Sequence, residues 1–332
     1  MRTAIDADQL VARVSKLITS WRPEASLRSL ETLMGGESGL TYVASLAGAT
    51  EDRLVIKVAP PGMRPIQNHD VLRQAGLLRW LERDPMIPVP LVEFVDEGSP
   101  PEVPPLFAMR YCQGECVEPH FDGLSPSTSD KSMEGRAMQA VQLMAALHRI
   151  DQQRLALAAE PRSLSDEIDR WAKVLRKYGP KNHERYEVCE QLLRSSEPAS
   201  VPASLVHGDF RLGNLLCRGA DVIAVIDWEI WGLGDPRTDL AWFLMNCDPR
   251  VNHLPSIERK GIPSEEVLLR HYEASGGLAF ADLNWFRALE LFKSAAIWTL
   301  IARDKQDHLD ARYQCVVNLL PLQMDAAIAA LH

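Results

Sequence analysis

Three polar residues stand at spacings that suit one piece of chemistry. Asp209 follows an apolar run in Leu205-Val-His-Gly-Asp-Phe-Arg-Leu-Gly-Asn-Leu-Leu216, and Asn214 comes five residues later. Asp227 ends a second apolar run within Val222-Ile-Ala-Val-Ile-Asp-Trp-Glu229, thirteen residues further on. Short strands joined by tight turns bring their ends together, so the three side chains are expected to converge. Transfer of a phosphoryl group from ATP to a hydroxyl uses such a set. One carboxylate, Asp209, orients the attacking hydroxyl and accepts its proton, while Asn214 and Asp227 hold Mg2+ against the phosphates. Magnesium is a hard cation, and carboxylate and amide oxygens suit it. The order is H-x-D-x-x-x-x-N followed by a metal-binding aspartate.

The neighbouring residues carry competing readings. His207 reads as a buried histidine that braces the loop, because Asp209 already fills the role of base. Arg211 either neutralises charge on the transferring phosphoryl group or pairs with a local carboxylate. Asp235 precedes Pro236, where a helix would begin, so helix capping is its simpler role. Asp239 reads as structural. Glu229 either reaches a metal or braces the loop. Cys112 and Cys116 form no metal site, since no second pair at ligand spacing accompanies them. The six cysteines are expected to be reduced, buried thiols.

The elements that must position these residues fall into two textures. A helix is expected over 6–19, then strands at 41–46, 53–58, 90–95 and 105–111, with a helix over 68–82 between them. After Gly114, helical patterns recur at 131–150, 164–178, 183–195, 235–246, 264–275, 281–303 and 308–331. Only short strands at 204–208, 214–218 and 222–227 interrupt them. The expected organisation is a β-rich N-lobe over 1–110, a hinge over 111–117 and a helical C-lobe over 118–332. The segment Gly35-Gly-Glu-Ser-Gly39 precedes a strand, so Gly35, Gly36, Ser38 and Gly39 are candidates for a loop whose backbone N–H groups cover phosphates. The same pattern also marks plain turns.

Composition narrows the function classes. The 332 residues are 46% hydrophobic and 24% charged, which excludes a disordered chain. The net charge of −9 argues against a nucleic-acid binder. Residues 205–248 hold seven acids and three bases, so much of the excess lies in the candidate site. No apolar run is long enough to span a membrane, and the polar opening shows no secretory signal, so a cytoplasmic location is expected.

HGDFRLGN together with IDWEIWGLGDPRTDLA resembles the aminoglycoside phosphotransferase family, within the protein-kinase-like fold, over about residues 30–305. The resemblance implies a bilobal α+β fold and use of ATP and Mg2+. It implies a small-molecule hydroxyl acceptor as partner, with no nucleic acid and no membrane. It also implies that Lys57 grips the α- and β-phosphates, although a lone strand lysine is often just a solvated group. Ile56 and Val58 would then face inward. Kinase-like folds pair this lysine with a helix glutamate, and here Gln74 stands at that position. Asp70, one turn earlier, is a substitute. Met109 is the expected side chain at the back of an adenine pocket, with Tyr111 beside it at the start of the hinge. Residues 286–303 and Arg170-Trp171 resemble a branch associated with acyl-CoA dehydrogenases, thought to act on hydroxyacyl-CoA. In that case Arg287, Lys293 and Arg303 would serve an anionic coenzyme; the competing reading is a solvated helix face. Trp285, Phe286, Phe292 and Trp298 read as core. The alternative function is a nucleotide-binding regulatory module without catalysis, to which Gln74 points. A protein kinase is disfavoured, because nothing resembles an activation loop between Asp227 and Pro236.

Overall fold

Alternation in Arg-Leu-Val-Ile-Lys-Val decides how the first part of the chain is built. Successive strand residues face opposite sides of a sheet, so Leu54, Ile56 and Val58 share one face and Val55 and Lys57 the other. Leu54, Ile56 and Val58 are fully buried against Leu10, Val14 and Ile18. Those three stand four residues apart on α1 (Ala7–Trp21), whose N-cap Asp6 accepts from the backbone N–H groups of Asp8 and Gln9.

The computed structural model describes residues 6–33, 40–48, 52–117, 129–154, 159–179, 184–248, 251, 261–304 and 311–332. The chain divides into two compact units, Met1–Gly114 with Ile223–Ile230, and Glu115–Val222 with Trp231–His332. In the first unit, α1 is followed by β1 (Ser26–Thr32), β2 (Leu40–Ala47), β3 (Arg53–Val58), α2 (Val71–Leu81), β4 (Val92–Asp96) and β5 (Leu106–Arg110). The five strands form one sheet in the order β1-β2-β3-β5-β4, with every pair antiparallel. Arg13 fixes α1 to this sheet: its Nε donates to Asp96 at 2.8 Å and its guanidinium to the Pro104 carbonyl at 2.7 Å.

The second unit begins with α3 (Asp130–His148), α4 (Leu164–Tyr178) and α5 (Glu184–Ser195). Ser163 and Asp166 cap α4 reciprocally, which sets its start. The chain then makes β6 (Ser204–Val206), β7 (Leu215–Arg218) and β8 (Asp221–Val225), and returns to the first unit at Ile223. The turn between β7 and β8 uses Gly219 at φ 59°, a left-handed conformation that suits glycine. β9 (Gly232–Gly234) pairs antiparallel with β6, with Val206 opposite Gly232. Four helices follow: α6 (Pro236–Cys247), α7 (Glu265–Ala274), α8 (Leu283–Asp304) and α9 (Ala311–Ala330). Trp285, Phe286, Phe292 and Trp298 of α8 are core, packed with Trp171, Trp242 and Met324.

Of the described cysteines, Cys189, Cys217 and Cys247 are buried free thiols. Burial pushes Cys189 up to about 12 and Cys217 up to about 11. Cys116 is exposed and Cys112 half-buried, which corrects the expectation for these two. They lie outside helix and strand.

Candidate active site

The register of the first sheet places Lys57 opposite Thr41 and Phe107, on the face away from α1. Its ammonium group donates to Asp227 Oδ1 at 2.8 Å and lies 3.7 Å from Glu229 Oε2. Burial alone would lower its pKa. The Asp227 and Glu229 carboxylates overcome that and hold it above the ordinary lysine value, so the group is charged. Asp227 itself has φ 64°, a left-handed conformation that aspartate tolerates better than most residues. Such a backbone, held at a strand end beside a buried cation, is the kind of strain that collects at functional sites.

A small cavity in this unit is lined by Lys57, Gln74, Phe107, Met109, Ile226 and Asp227, among others. Gln74 is buried on α2, and its amide donates to the Asn68 carbonyl at 3.4 Å. The carboxylates beside Lys57 are therefore Asp227 and Glu229. Asp70 is no substitute: it is the N-cap of α2 and accepts from the Arg73 N–H at 3.0 Å. Met109 lines the cavity, whereas the Tyr111 ring lies under the Arg53 guanidinium at 3.9 Å and is not among the lining residues. Gly35, Gly36, Ser38 and Gly39 lie outside the described residues.

The second unit holds the Asp209 loop between β6 and a short 3-10 turn at Leu212–Asn214. Asp209 Oδ1 accepts from Trp242 Nε1 at 2.8 Å, and Oδ2 accepts from Asn214 Nδ2 at 2.8 Å. Arg211 Nε donates across both oxygens, at 3.2 and 3.1 Å, so this arginine sits on Asp209 itself. Asn214 Nδ2 also donates to the Asp209 carbonyl at 2.8 Å. With its nitrogen so engaged, its amide oxygen is the atom left to meet a hard cation. Three donors fix the carboxylate, yet 22% of the side chain is open to solvent.

The loop backbone is anchored from beneath. Asp239 is wholly buried and accepts from the N–H groups of His207 at 2.6 Å and Gly208 at 2.8 Å. Burial alone would push its carboxyl up, but the His148 hydrogen bond and charge, aided by His207, hold it below the usual carboxylate range. His148 in turn shares a 2.7 Å hydrogen bond with Tyr272. His207 is fully buried, and its Nδ1 accepts from the Asp209 N–H at 3.2 Å. Asp235 caps α6 through the Arg237 N–H, with Pro236 following it. Charge-assisted bonds of this type contribute about 1.5–3 kcal/mol each, and both Asp239 oxygens, buried from solvent, are taken up by loop N–H groups.

The basic residues of α8 each engage a local group. Arg287 pairs with Glu265, and the Arg303 guanidinium lies 4.2 Å from the Tyr178 ring. Lys293 is buried, with its ammonium 3.0 Å from Glu290. Glu290 is buried too; burial pushes its carboxyl up to about 7, against the pull of Lys293. Raising a folded-state carboxyl pKa from 4.5 to about 7 means that the folded state holds this proton more tightly. Its contribution to stability is full below pH 4.5 and is lost as pH rises to about 7. Glu290→Gln is expected to remove that slope. Relative to wild type, its Tm gains between pH 5 and pH 8, by the equivalent of up to about 3 kcal/mol. A constant difference in Tm across that range would contradict the assignment.

Among the described residues, no cluster of three or more His, Cys, Asp or Glu is arranged to hold a metal. Asp227 and Asn214 each offer the oxygen donor that suits magnesium, a cation that takes one or two protein carboxylates and completes its shell with phosphate oxygens and water. No described helix is long and apolar enough to cross a membrane.

Residues 29–261 match the model of the phosphotransferase enzyme family. Mouse acyl-CoA dehydrogenase family member 10 is 30% identical over 276 residues, covering 79% of this chain and 25% of that protein. The chain thus spans about a quarter of the length of this relative. A solved Ralstonia eutropha protein, proposed to be an aminoglycoside phosphotransferase, superposes with a TM-score of 0.76 at 20% identity, covering 96% of this chain and 98% of the other. An aminoglycoside 2''-phosphotransferase, solved with GDP and kanamycin, gives 0.66 at 16% identity, covering 94% and 98%. The match over more than half its length and the shared architecture agree: the chain belongs to the phosphotransferase enzyme family and has its α+β, protein-kinase-like fold.

Proposed function

We propose that this protein is an ATP- and magnesium-dependent phosphotransferase that moves the γ-phosphoryl group to a hydroxyl of a small molecule. The observation that carries the reading is Asp209: a part-open carboxylate fixed by Trp242, Asn214 and Arg211 on a loop whose backbone is itself anchored. A group so placed orients an acceptor hydroxyl and takes its proton as the new O–P bond forms. The bond from the γ-phosphorus to the ADP oxygen breaks in the same displacement. Lys57, charged and buried, is assigned to the α- and β-phosphates. Magnesium, held by Asp227 and Asn214, would neutralise phosphate charge. Arg211 keeps the Asp209 carboxylate in place. Residues 111–117 serve as the hinge, and Met109 backs the adenine.

Two acceptor classes are proposed: an aminoglycoside-like molecule, the class bound in the solved kanamycin complex, or a hydroxyacyl-CoA-like one, the class that the sequence resemblance implies. Arg287, Lys293 and Arg303 are engaged locally, which argues against their serving an anionic acceptor. The alternative, a nucleotide-binding regulatory module without catalysis, rests on Gln74. Asp227 and Glu229 supply the charge that Gln74 lacks, which weakens it. The deciding experiment measures ADP release from Mg-ATP on panels of both acceptor classes, with Asp209→Ala as the blank. Turnover above blank on either panel supports the kinase and names its acceptor class. No Asp209-dependent ADP release, with or without acceptor, would favour the regulatory module.

A further inference from the structure

We infer that Trp242 and Lys293 are positioning residues that together hold the Asp209 carboxylate in its working orientation; the inference rests on the assignment of Asp209 as the base. Trp242 stands one turn beyond Asp239 on α6, so both side chains leave the same face of the helix. Asp239 takes the loop backbone and Trp242 the loop carboxylate. An indole N–H has one proton and one direction, so its bond to Oδ1 fixes the rotation of the carboxylate about its own axis. Asn214 on Oδ2 supports the same rotation from the other side.

The indole is itself clamped. The Lys293 ammonium lies 4.1 Å from the centre of the Trp242 ring, within range of a cation–π interaction. The same ammonium donates to the Gly208 carbonyl at 3.0 Å, immediately before Asp209. One buried cation on α8 therefore secures both the loop backbone and the side chain that orients the base. Glu290 lies 3.0 Å from that ammonium. Gly208 has φ 85°, so its carbonyl direction depends on a backbone conformation that Lys293 helps to hold.

The test uses Trp242→Phe and Lys293→Met in the full chain, with water as acceptor and ADP release from Mg-ATP as the readout. Phenylalanine keeps an aromatic ring for Lys293 and removes the N–H. Methionine keeps an unbranched stem over the indole and removes the charge. Each variant is expected to lose about 10- to 100-fold in kcat, with KM for Mg-ATP changed by less than about twofold. Lys293→Arg, which keeps both cation and donor, is expected to recover much of the loss.

A second readout does not depend on activity. Of the eight tryptophan indole N–H signals in an NMR spectrum, the one that disappears in Trp242→Phe should move in Asp209→Ala and in Lys293→Met. Full kcat in Trp242→Phe, or an indole signal indifferent to Asp209, overturns the inference. An indole signal coupled to Asp209 in a protein whose ADP release ignores Asp209 would instead overturn the assignment of the base. If Lys293→Met fails to fold, the Trp242→Phe kinetics and its indole signal decide alone.

Discussion

Replacing Asp209 with alanine is expected to lower phosphoryl transfer by about 100- to 10,000-fold, the range that a positioned proton acceptor contributes. Binding of Mg-ATP should stay within about twofold of wild type, because the residues assigned to the phosphates and the adenine, Lys57 and Met109, are elsewhere. The structure sets one complication. Alanine leaves Trp242 Nε1, Asn214 Nδ2 and Arg211 Nε without their common acceptor. A buried donor left unpaired costs about 1–3 kcal/mol, although solvent reaches this loop and can fill part of the gap. Asp209→Asn is the companion variant, since its amide oxygen still accepts from Trp242 while the base is gone. Both variants should be inactive, and both should lose Tm, since the asparagine amide nitrogen faces the Asn214 and Arg211 donors that Oδ2 now accepts. Initial rates of ADP release, a Mg-ATP titration and a thermal melt separate the effects. An asparagine variant that turns over normally would remove Asp209 from the mechanism.

The elements that frame this site were legible where periodicity or capping is strong. Alternation in residues 53–58 was enough to set Ile56 and Val58 against Lys57, because a two-residue period fixes the face. Asp235-Pro236 marked the start of α6 by the chemistry of a capped first turn. Two strands carried no such signal. β1 reads Ser-Leu-Arg-Ser-Leu-Glu-Thr at a sheet edge, where little of it is buried and polar residues are tolerated. β9 is Gly-Leu-Gly, and only its pairing with β6 makes it a strand. The open space above Gly232 is used by the Arg162 guanidinium, which a side chain there would meet at 2.6 Å.

The site divides in the same way. Asp209, Asn214 and Asp227 were visible because they share a short stretch of chain with fixed spacing. The partners that hold them were not. Periodicity says which face a side chain occupies and is silent about what lies opposite. The expected partner of Lys57 lies on α2, at Gln74 or Asp70, whereas its carboxylate partner stands 170 residues away at Asp227. Nothing in the sequence sets Trp242 apart from the apolar residues around it, although an indole keeps a donor that must be satisfied when buried. For Lys293 the sequence leaves two readings, a contact for an anionic coenzyme or part of a solvated helix face. Its burial beside Glu290 and Trp242 makes it an internal clamp instead.

Asp227→Asn should leave the fold nearly intact and remove the magnesium-dependent part of ATP affinity, a loss of about 100-fold or more. Asparagine is the sharper choice for a backbone reason. At φ 64° a side chain such as alanine costs about 1–2 kcal/mol, whereas asparagine and aspartate adopt this region with little strain. Alanine would therefore mix strain with lost chemistry. Asparagine keeps an oxygen that can accept from Lys57 at the same place but carries no charge. Lys57 then depends on Glu229, 3.7 Å away, for its counter-charge. Breaking a fully buried ion pair costs about 3–5 kcal/mol. The cost here is smaller, because 34% of the Asp227 side chain is exposed and Glu229 remains. With one of its two carboxylates neutral, Lys57 should titrate lower than in wild type, since the carboxylates are what oppose burial. Any stability tied to its charge would then be lost at a lower alkaline pH than in wild type. The decisive measurement compares ATP binding with and without magnesium in wild type and Asp227→Asn. Wild type should show a large magnesium increment and the variant almost none. An increment preserved in the variant would mean that magnesium is held without Asp227, leaving that residue as the counter-ion of Lys57.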